Sequence, residues 1–237
     1  MKLSIIIPLY NEENLILKLL DKITEVPFPD FLEAWEVVVV DDCSSDRSAQ
    51  MVEQYITGRN NMSLYKQMQN QGKGAAVKTG IAKAKHDIYL IQDADLELSP
   101  ADIPDMLQAM HTLRIEFVNG SRYLPGKLRP LFSFKRYWFN RIFTNLVSVL
   151  INVKLTDLAC GYKLFQKSLY EQIQLKEDRF GFEAELIIKA IRIKKNNIAE
   201  VPVSYFPRNR GEGKKLRNID GLKILKTIFL YGFLGLK

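Results

Sequence analysis

The chain has 237 residues, 47% hydrophobic and 26% charged, with a formal net charge of +7. That length suits one sizeable α/β domain, and the composition excludes disorder and a polytopic membrane protein, leaving a soluble or peripheral one. Two cysteines (Cys43, Cys160) and two histidines (His86, His111) exclude a zinc-type ligand cluster and fit a reducing compartment.

Met1-Lys2-Leu3 and Ser4-Ile5-Ile6-Ile7-Pro8 form an apolar run too short for a signal peptide and closed by proline, so it reads as a first strand. From there short β-branched runs alternate with helical patterns: a strand at 3–7 and a helix at 12–23, a strand at 36–40 and a helix at 46–56, a strand at 63–66 and a helix at 73–84, then a strand at 88–91. Such alternation predicts a parallel sheet with crossover helices. Val37-Val38-Val39-Val40 is apolar without a period of two, as expected of a central strand covered on both faces. The second half is less regular: a Pro- and Gly-bearing loop at 123–134, helices at 135–152 and 182–195, a strand at 198–203, a polar glycine-bearing loop at 208–217 and an amphipathic stretch at 219–236. The expected organisation is one domain over 1–217 with a C-terminal amphipathic segment over 218–237, contacting a membrane or another subunit.

Ligands of such sheets bind beyond the carboxyl ends of the strands. There the sequence is repeatedly acidic: Asn11-Glu12-Glu13 after the first strand, Asp41-Asp42-Cys43-Ser44-Ser45-Asp46 after the second, and Gln92-Asp93-Ala94-Asp95-Leu96-Glu97 after the strand at 88–91. Asp93-Ala94-Asp95 places two carboxylates on the same side of an extended segment, able to hold one hard divalent cation while a pyrophosphate fills the other positions. Breaking a glycosyl phosphate bond builds negative charge on the departing diphosphate, and a cation stabilises it. Plainer readings stand beside these. Aspartates are common in turns, Ser44, Ser45 or Asp46 can cap the following helix, and Gln71-Gly72-Lys73-Gly74 is either a nucleotide-edge turn or a close-packed helix start.

Ser4 to Glu13, Val39-Val40-Asp41-Asp42-x-Ser44-x-Asp46, Gly72-Lys73-Gly74, Asp93-Ala94-Asp95 and Gly120-Ser121-Arg122-Tyr123 resemble the family 2 glycosyltransferases. Asp157-Leu158-Ala159-Cys160-Gly161-Tyr162-Lys163-Leu164-Phe165, Phe180-Gly181-Phe182-Glu183 and Glu200-Val201-Pro202-Val203 resemble, within that family, the polyprenyl-phosphate (dolichyl-phosphate) mannosyl- and glucosyltransferases. The resemblance implies a GT-A fold, a Rossmann-like mixed and mainly parallel sheet flanked by helices. It further implies an inverting, metal-dependent hexosyl transfer from a UDP- or GDP-linked sugar to a polyprenyl phosphate. By the same resemblance Pro8, Tyr10, Glu12, Val40, Asp41 and Asp42 line the nucleoside pocket, and Asp93, Ala94 and Asp95 meet the diphosphate. Asp93, Asp95 and Glu97 would hold Mg²⁺ or Mn²⁺. Arg208 and Lys214 lie on a loop that closes over the donor, while Arg122, Arg136 and Asn140 grip the acceptor phosphate. Asp157 matches an aspartate suggested as a base in relatives, with orientation or turn-capping as its alternatives; Asp95, Asp157 and Arg122 make up the expected catalytic set.

Residues 1–118 carry 11 basic and 18 acidic side chains, and residues 119–237 carry 23 and 9. A basic half suits nucleic acid, phospholipid or a phosphorylated substrate, or is a solvated surface. Residues 127–141 hold five cations, no acid and seven large apolar side chains, a composition suited to a headgroup interface. The expected location is therefore peripheral, at the cytoplasmic face of a membrane. The C-terminal run matches a membrane span in length but is interrupted by Asp220, Lys223 and Lys226, so docking on the membrane, packing on the domain and contact within a homo-oligomer all stay open. A non-catalytic nucleotide- or nucleic-acid-binding protein is the alternative from another class. Nucleic acid is disfavoured, because acidic clusters at the site edge would repel its phosphates.

Overall fold

The computed structural model describes residues 1–127, 133–179, 181–194, 197–208 and 218–235. Its elements run β1 Lys2–Leu9, α1 Ile16–Thr24, β2 Ala34–Asp41, α2 Ser48–Tyr55, β3 Met62–Lys66, α3 Lys73–Lys83, β4 Ile88–Ile91, α4 Ile103–Leu113, β5 Phe117–Ser121, α5 Phe134–Ile151, β6 Lys163–Gln166, α6 Lys167–Tyr170, α7 Phe182–Lys194, β7 Ile198–Pro202 and α8 Asn218–Thr227. A wider π-helical turn, Ile228–Phe233, continues α8.

The strands form one sheet in the order β3-β2-β1-β4-β6-β5-β7. β1 pairs parallel with β2 and β4, β2 pairs parallel with β3, and β5 parallel with β7. Only β6, antiparallel to both β4 and β5, breaks the pattern, so the sheet is mixed and mainly parallel as expected. β5, β6 and α4 go beyond the elements the sequence pattern gave. β5 reads Phe-Val-Asn-Gly-Ser, whose Asn-Gly mimics a turn, and β6 is four residues long and opens on a buried lysine.

Alternation along the strands divides the core in two. Leu3, Ile5, Ile7 and Leu9 of β1 pack with Leu19, Leu20 and Ile23 of α1, Val52 of α2 and Met106 of α4. Ile6, Tyr89, Phe117 and Phe165 point the other way, onto Val77 and Ile81 of α3, Val147 of α5 and Leu186, Ile187 and Ala190 of α7. Ile228 and Tyr231 belong to this second core, so one face of the C-terminal segment packs on the domain against α5 and α7. Lys189, paired with Glu185 at 2.6 Å, sits 4.3 Å from the Tyr231 ring centroid. Leu225, Phe229, Phe233 and Leu234 on the opposite face are exposed. No helix of the described residues is long and apolar enough to cross a membrane.

α3 lies against the sheet through Gly80, where an added Cβ would come within 2.5 Å of Ile6 Cγ2 and 3.3 Å of Val40 Cγ2. Gly80→Ala is expected to lower the unfolding free energy by about 1–3 kcal/mol despite the better helix former, because the helix must lift off a packed strand. Urea denaturation measures this; an unchanged or higher midpoint would contradict the close approach.

Candidate active site

The parallel register brings three acidic turns to one edge. Leu9 lies opposite Asp41 and Ile6 opposite Ile91, so the residues after β1, β2 and β4 leave the sheet side by side. Each turn contains a non-glycine residue in the left-handed region: Asn11 (φ 48°), Cys43 (φ 61°) and Leu96 (φ 55°). Such backbone is unfavourable for a side-chain-bearing residue and persists only where neighbours over-determine it. Here the neighbours are polar. Ser44 Oγ accepts from the Asn11 amide at 2.9 Å, Ser48 Oγ from the Glu12 amide at 2.8 Å, and Asp95 Oδ1 from the Glu97 amide at 3.0 Å.

Asp41 and Asp42 are both buried. Asp42 accepts from the amides of Gln71 at 2.7 Å and Gly72 at 2.8 Å, which ties the β3–α3 loop to the end of β2. Burial pushes its pKa up against those two bonds. Asp41 accepts from the Ser44 amide at 3.2 Å, and Asp46 from the amides of Ser48 at 2.9 Å and Glu13 at 3.1 Å. Both aspartates of the pair thus organise loops at this edge. Tyr10 stands half-exposed on its rim, and Pro8 pairs in register with Val40.

Cations compensate the acidic turns. Lys73 Nζ lies 2.6 Å from Asp93 Oδ1 and 2.6 Å from Glu183 Oε1, and although burial alone would lower its pKa, the two carboxylates raise it. Arg208 Nη1 and Nη2 donate to Glu12 at 2.9 and 3.1 Å, and Nη2 lies 3.2 Å from Asp95 Oδ2. Glu97 turns towards the segment carrying that arginine: it accepts from the Arg208 amide at 2.9 Å and the Tyr205 hydroxyl at 3.2 Å. Burial, then the charges of Asp93 and Glu97, push the Asp95 carboxyl up to about 6. Asp93 packs over Gly161, where a Cβ would fall 2.1 Å from Asp93 Oδ2. Among the described residues no three His, Cys, Asp or Glu side chains are grouped to hold a metal. The set fits a divalent cation held by Asp93 and Asp95: both are hard oxygen donors, and burial together with the charges of Asp93 and Glu97 lifts Asp95 despite Arg208 beside it.

A second cluster lies at the ends of β5 and α5. Arg122 grips the buried Asp157 with Nε at 2.7 Å and Nη2 at 2.8 Å, and Asn140 Nδ2 donates to the same carboxylate at 3.0 Å. Burial works to raise the Asp157 pKa, but the Arg122 charge and its hydrogen bonds outweigh it and hold the carboxyl low. The Arg122 guanidinium carbon is 5.0 Å from the centroid of Tyr205, the residue bound to Glu97, so the two clusters share a wall. Arg136 Nη1 is buried without a hydrogen-bond partner. Lys214 lies outside the described residues. Lys73, Glu183, Asn119 and Tyr205, which the sequence reading did not name as site residues, all join these networks. Glu183 belongs to one of the motifs quoted above, a carboxylate with no chemistry of its own in the chain pattern.

The model for glycosyl transferase family 2 matches residues 4–174. The chain belongs to glycosyl transferase family 2. It is 31% identical over 232 residues to a dolichyl-phosphate beta-glucosyltransferase of Trichomonas vaginalis, covering 92% of this chain and 69% of that one. Identity to a dolichol-phosphate mannosyltransferase of Pyrococcus furiosus is 28%, over 98% of this chain and 62% of the relative. A dodecaprenyl-phosphate galacturonate synthase of Rhizobium johnstonii is 27% identical over 90% of this chain and, again, 62% of its own length. The chain thus spans about two thirds of these relatives. Glucosyl-3-phosphoglycerate synthase of Mycobacterium tuberculosis, solved with Mn²⁺, UDP and glucosyl-3-phosphoglycerate, superposes with a TM-score of 0.73 at 20% identity, covering 98% of this chain and 80% of that one. This likeness shows the GT-A fold, and family membership makes the protein a glycosyltransferase.

The raised Asp95 carboxyl has a stability consequence. Its folded-state value of about 6 lies above the ordinary 3.8, so ionising it opposes folding as pH rises through that window. Asp95→Asn is expected to stabilise the metal-free protein at pH 7.5 by roughly 1–3 kcal/mol, a gain that fades below pH ~5. Chemical denaturation at both pH values measures it, and a pH-independent or destabilising effect would contradict the charge-crowding account.

Proposed function

We propose that the protein is an inverting, metal-dependent hexosyltransferase that moves a sugar from a UDP- or GDP-linked donor to a polyprenyl phosphate. The observation that carries the reading is the shared wall: Tyr205 binds the acidic donor edge through Glu97 and stands 5.0 Å from the Arg122 of the cationic cluster. An in-line displacement needs its two anionic reactants held side by side, the acceptor by cationic side chains and the donor diphosphate by a cation that the carboxylates would hold. The relatives' names, which pair a dolichyl, dolichol or dodecaprenyl phosphate with a sugar, support this acceptor class.

In this reading Asp93 and Asp95 hold Mg²⁺ or Mn²⁺, which when bound neutralises charge on the leaving diphosphate. Pro8, Tyr10, Glu12, Val40, Asp41 and Asp42 form the nucleoside side, Asp42 by fixing the loop at 71–72. Arg208, which bridges Glu12 and Asp95, supplies a positive charge beside the donor phosphates, and Glu97 holds the Arg208 segment in place. Arg136, with its unpartnered buried Nη1, and Arg122 receive the acceptor phosphate, a task that suits a guanidinium. Asp157 orients Arg122 and Asn140. Its low pKa and its four hydrogen bonds, from the Arg122 amide and guanidinium and from Asn140, leave it a poor proton acceptor, and a phosphate already anionic at neutral pH requires none. Phe134, Trp138 and Phe139 are exposed on α5 beside Lys135 and Arg141, and with Phe229 and Phe233 they suit peripheral docking at the cytoplasmic face of a membrane.

Release of nucleoside diphosphate from a panel of UDP- and GDP-sugars with Mn²⁺ is expected to depend on added polyprenyl phosphate; release indifferent to the lipid contradicts the acceptor. Asp95→Ala is expected to lower kcat by about 10²–10³-fold with the fold intact, and full activity of that variant would refute the metal assignment. Arg136→Ala should raise the acceptor KM about 10-fold or more with donor KM unchanged, as loss of a charged hydrogen-bond donor implies. An unmoved acceptor KM removes Arg136 from the acceptor site.

A further inference from the structure

Beside the Arg122–Asp157–Asn140 cluster lies a part-buried polar platform to which nothing above gives a role. Its centre is Glu200 of β7, which the parallel β5–β7 register sets opposite Asn119. Glu200 Oε2 accepts from the Thr156 amide at 2.8 Å and from the Thr156 hydroxyl at 2.8 Å. Glu200 Oε1 accepts from Asn119 Nδ2 at 2.9 Å and from the Asp157 amide at 3.3 Å. Two consecutive backbone amides therefore point at a single carboxylate, an anion-holding arrangement of the main chain. Asn119 reinforces it: Nδ2 also donates to the Asp157 carbonyl at 2.8 Å, while Oδ1 accepts at 2.7 Å from Lys163 Nζ. Lys163 is fully buried and donates a second bond to the Cys160 carbonyl at 2.7 Å, so Asn119 has no freedom to flip.

The geometry of this platform is directional. Glu200 and Asn119 fix the backbone of 156–157 from one side, and the Asp157 side chain leaves the other side to meet Arg122 and Asn140. Arg122 is thus aimed by Asp157, and Asp157 is aimed by Glu200. We propose that Glu200 is a positioning residue for the acceptor: it sets the orientation of Asp157 and, through it, of the guanidinium and carboxamide that receive the acceptor phosphate. The inference rests on the acceptor assignment made above. The donor edge, built on Asp42, Asp93, Asp95 and Arg208, makes no hydrogen bond with Glu200 among those described, so disturbing the platform separates the two substrates.

Glu200→Gln tests this with minimal change of shape. A carboxamide cannot accept on both sides, so its NH₂ must face either the Asn119 and Asp157 donors or the two Thr156 donors, and the 156–157 turn rotates. The expected result is an acceptor KM raised about 10-fold for polyprenyl phosphate, with donor KM and the UDP affinity in Mn²⁺ within about twofold of wild type. Thr156→Val removes the hydroxyl bonds to Glu200 and to Ser121 Oγ but keeps both amides on the carboxylate, and should raise the acceptor KM about threefold. An acceptor KM within about twofold of wild type in folded Glu200→Gln, or donor and acceptor constants that move together, overturns the inference. If Glu200→Gln does not fold, Thr156→Val decides by the same acceptor criterion. A wild type whose turnover ignores polyprenyl phosphate overturns the acceptor assignment together with this inference, whereas a lipid-dependent wild type with unaffected variants overturns the inference alone.

Discussion

Like charges brought together out of water must be compensated, and most of the architecture of this protein follows from how that is done. The parallel strands β1, β2 and β4 end side by side, and each is followed by carboxylates. Repulsion and burial together lift Asp95 far above an ordinary aspartate. Three devices keep the edge intact: backbone amides on Asp42, Lys73 between Asp93 and Glu183, and Arg208 between Glu12 and Asp95. Each fastens a different part of the chain to the sheet edge: the β3–α3 loop, the first turn of α7 and the segment after β7. A site that carries excess negative charge when empty is suited to a donor that arrives with a cation.

The reversed strand β6 gives the second half its purpose. By running antiparallel between β4 and β5 it leads from the Asp157–Gly161 stretch into the sheet, so Gly161 backs directly onto Asp93 while Asp157 faces Arg122 at the end of β5. The acidic edge and the Arg122–Asp157 cluster are thereby neighbours across one short turn. α5 presents Arg136 and Asn140 from its first two turns and exposes aromatic side chains on its outer face, joining the Arg122–Asp157–Asn140 cluster to an exposed aromatic surface. The C-terminal segment adds to that surface while Tyr231 and Ile228 anchor it to the core.

Much of this was legible in the chain. The alternation of β-branched runs with helical periodicity gave β1 to β4, and residues after those strands, Glu12, Asp41, Asp42, Asp93 and Asp95, meet at one edge because parallel register requires it. The family emerged from motifs whose order covers nearly the whole chain. What escaped was set by long-range pairing. Asn-Gly in β5 and Lys163 in β6 look like turn and surface residues, and only the Lys163–Asn119 bond, between residues 44 positions apart, makes them strand interior. Glu97 sits in a cation-binding pattern yet turns towards Tyr205 and Arg208, over a hundred positions downstream. Asp42 follows β2 in a turn, and its bonds to the amides of Gln71 and Gly72, about thirty positions on, are made by the fold. Local sequence states which chemistry is available; the partners that consume it are decided by the fold.

The most direct test is a crystal structure of the protein with UDP and Mn²⁺, with the metal located by its anomalous scattering. The account predicts a peak bound by Asp93 and Asp95 and by the diphosphate, with the Arg208 guanidinium moved from Asp95 to the phosphates. Diphosphate bound with both aspartates still on Lys73 and Arg208, and manganese elsewhere or absent, would contradict it.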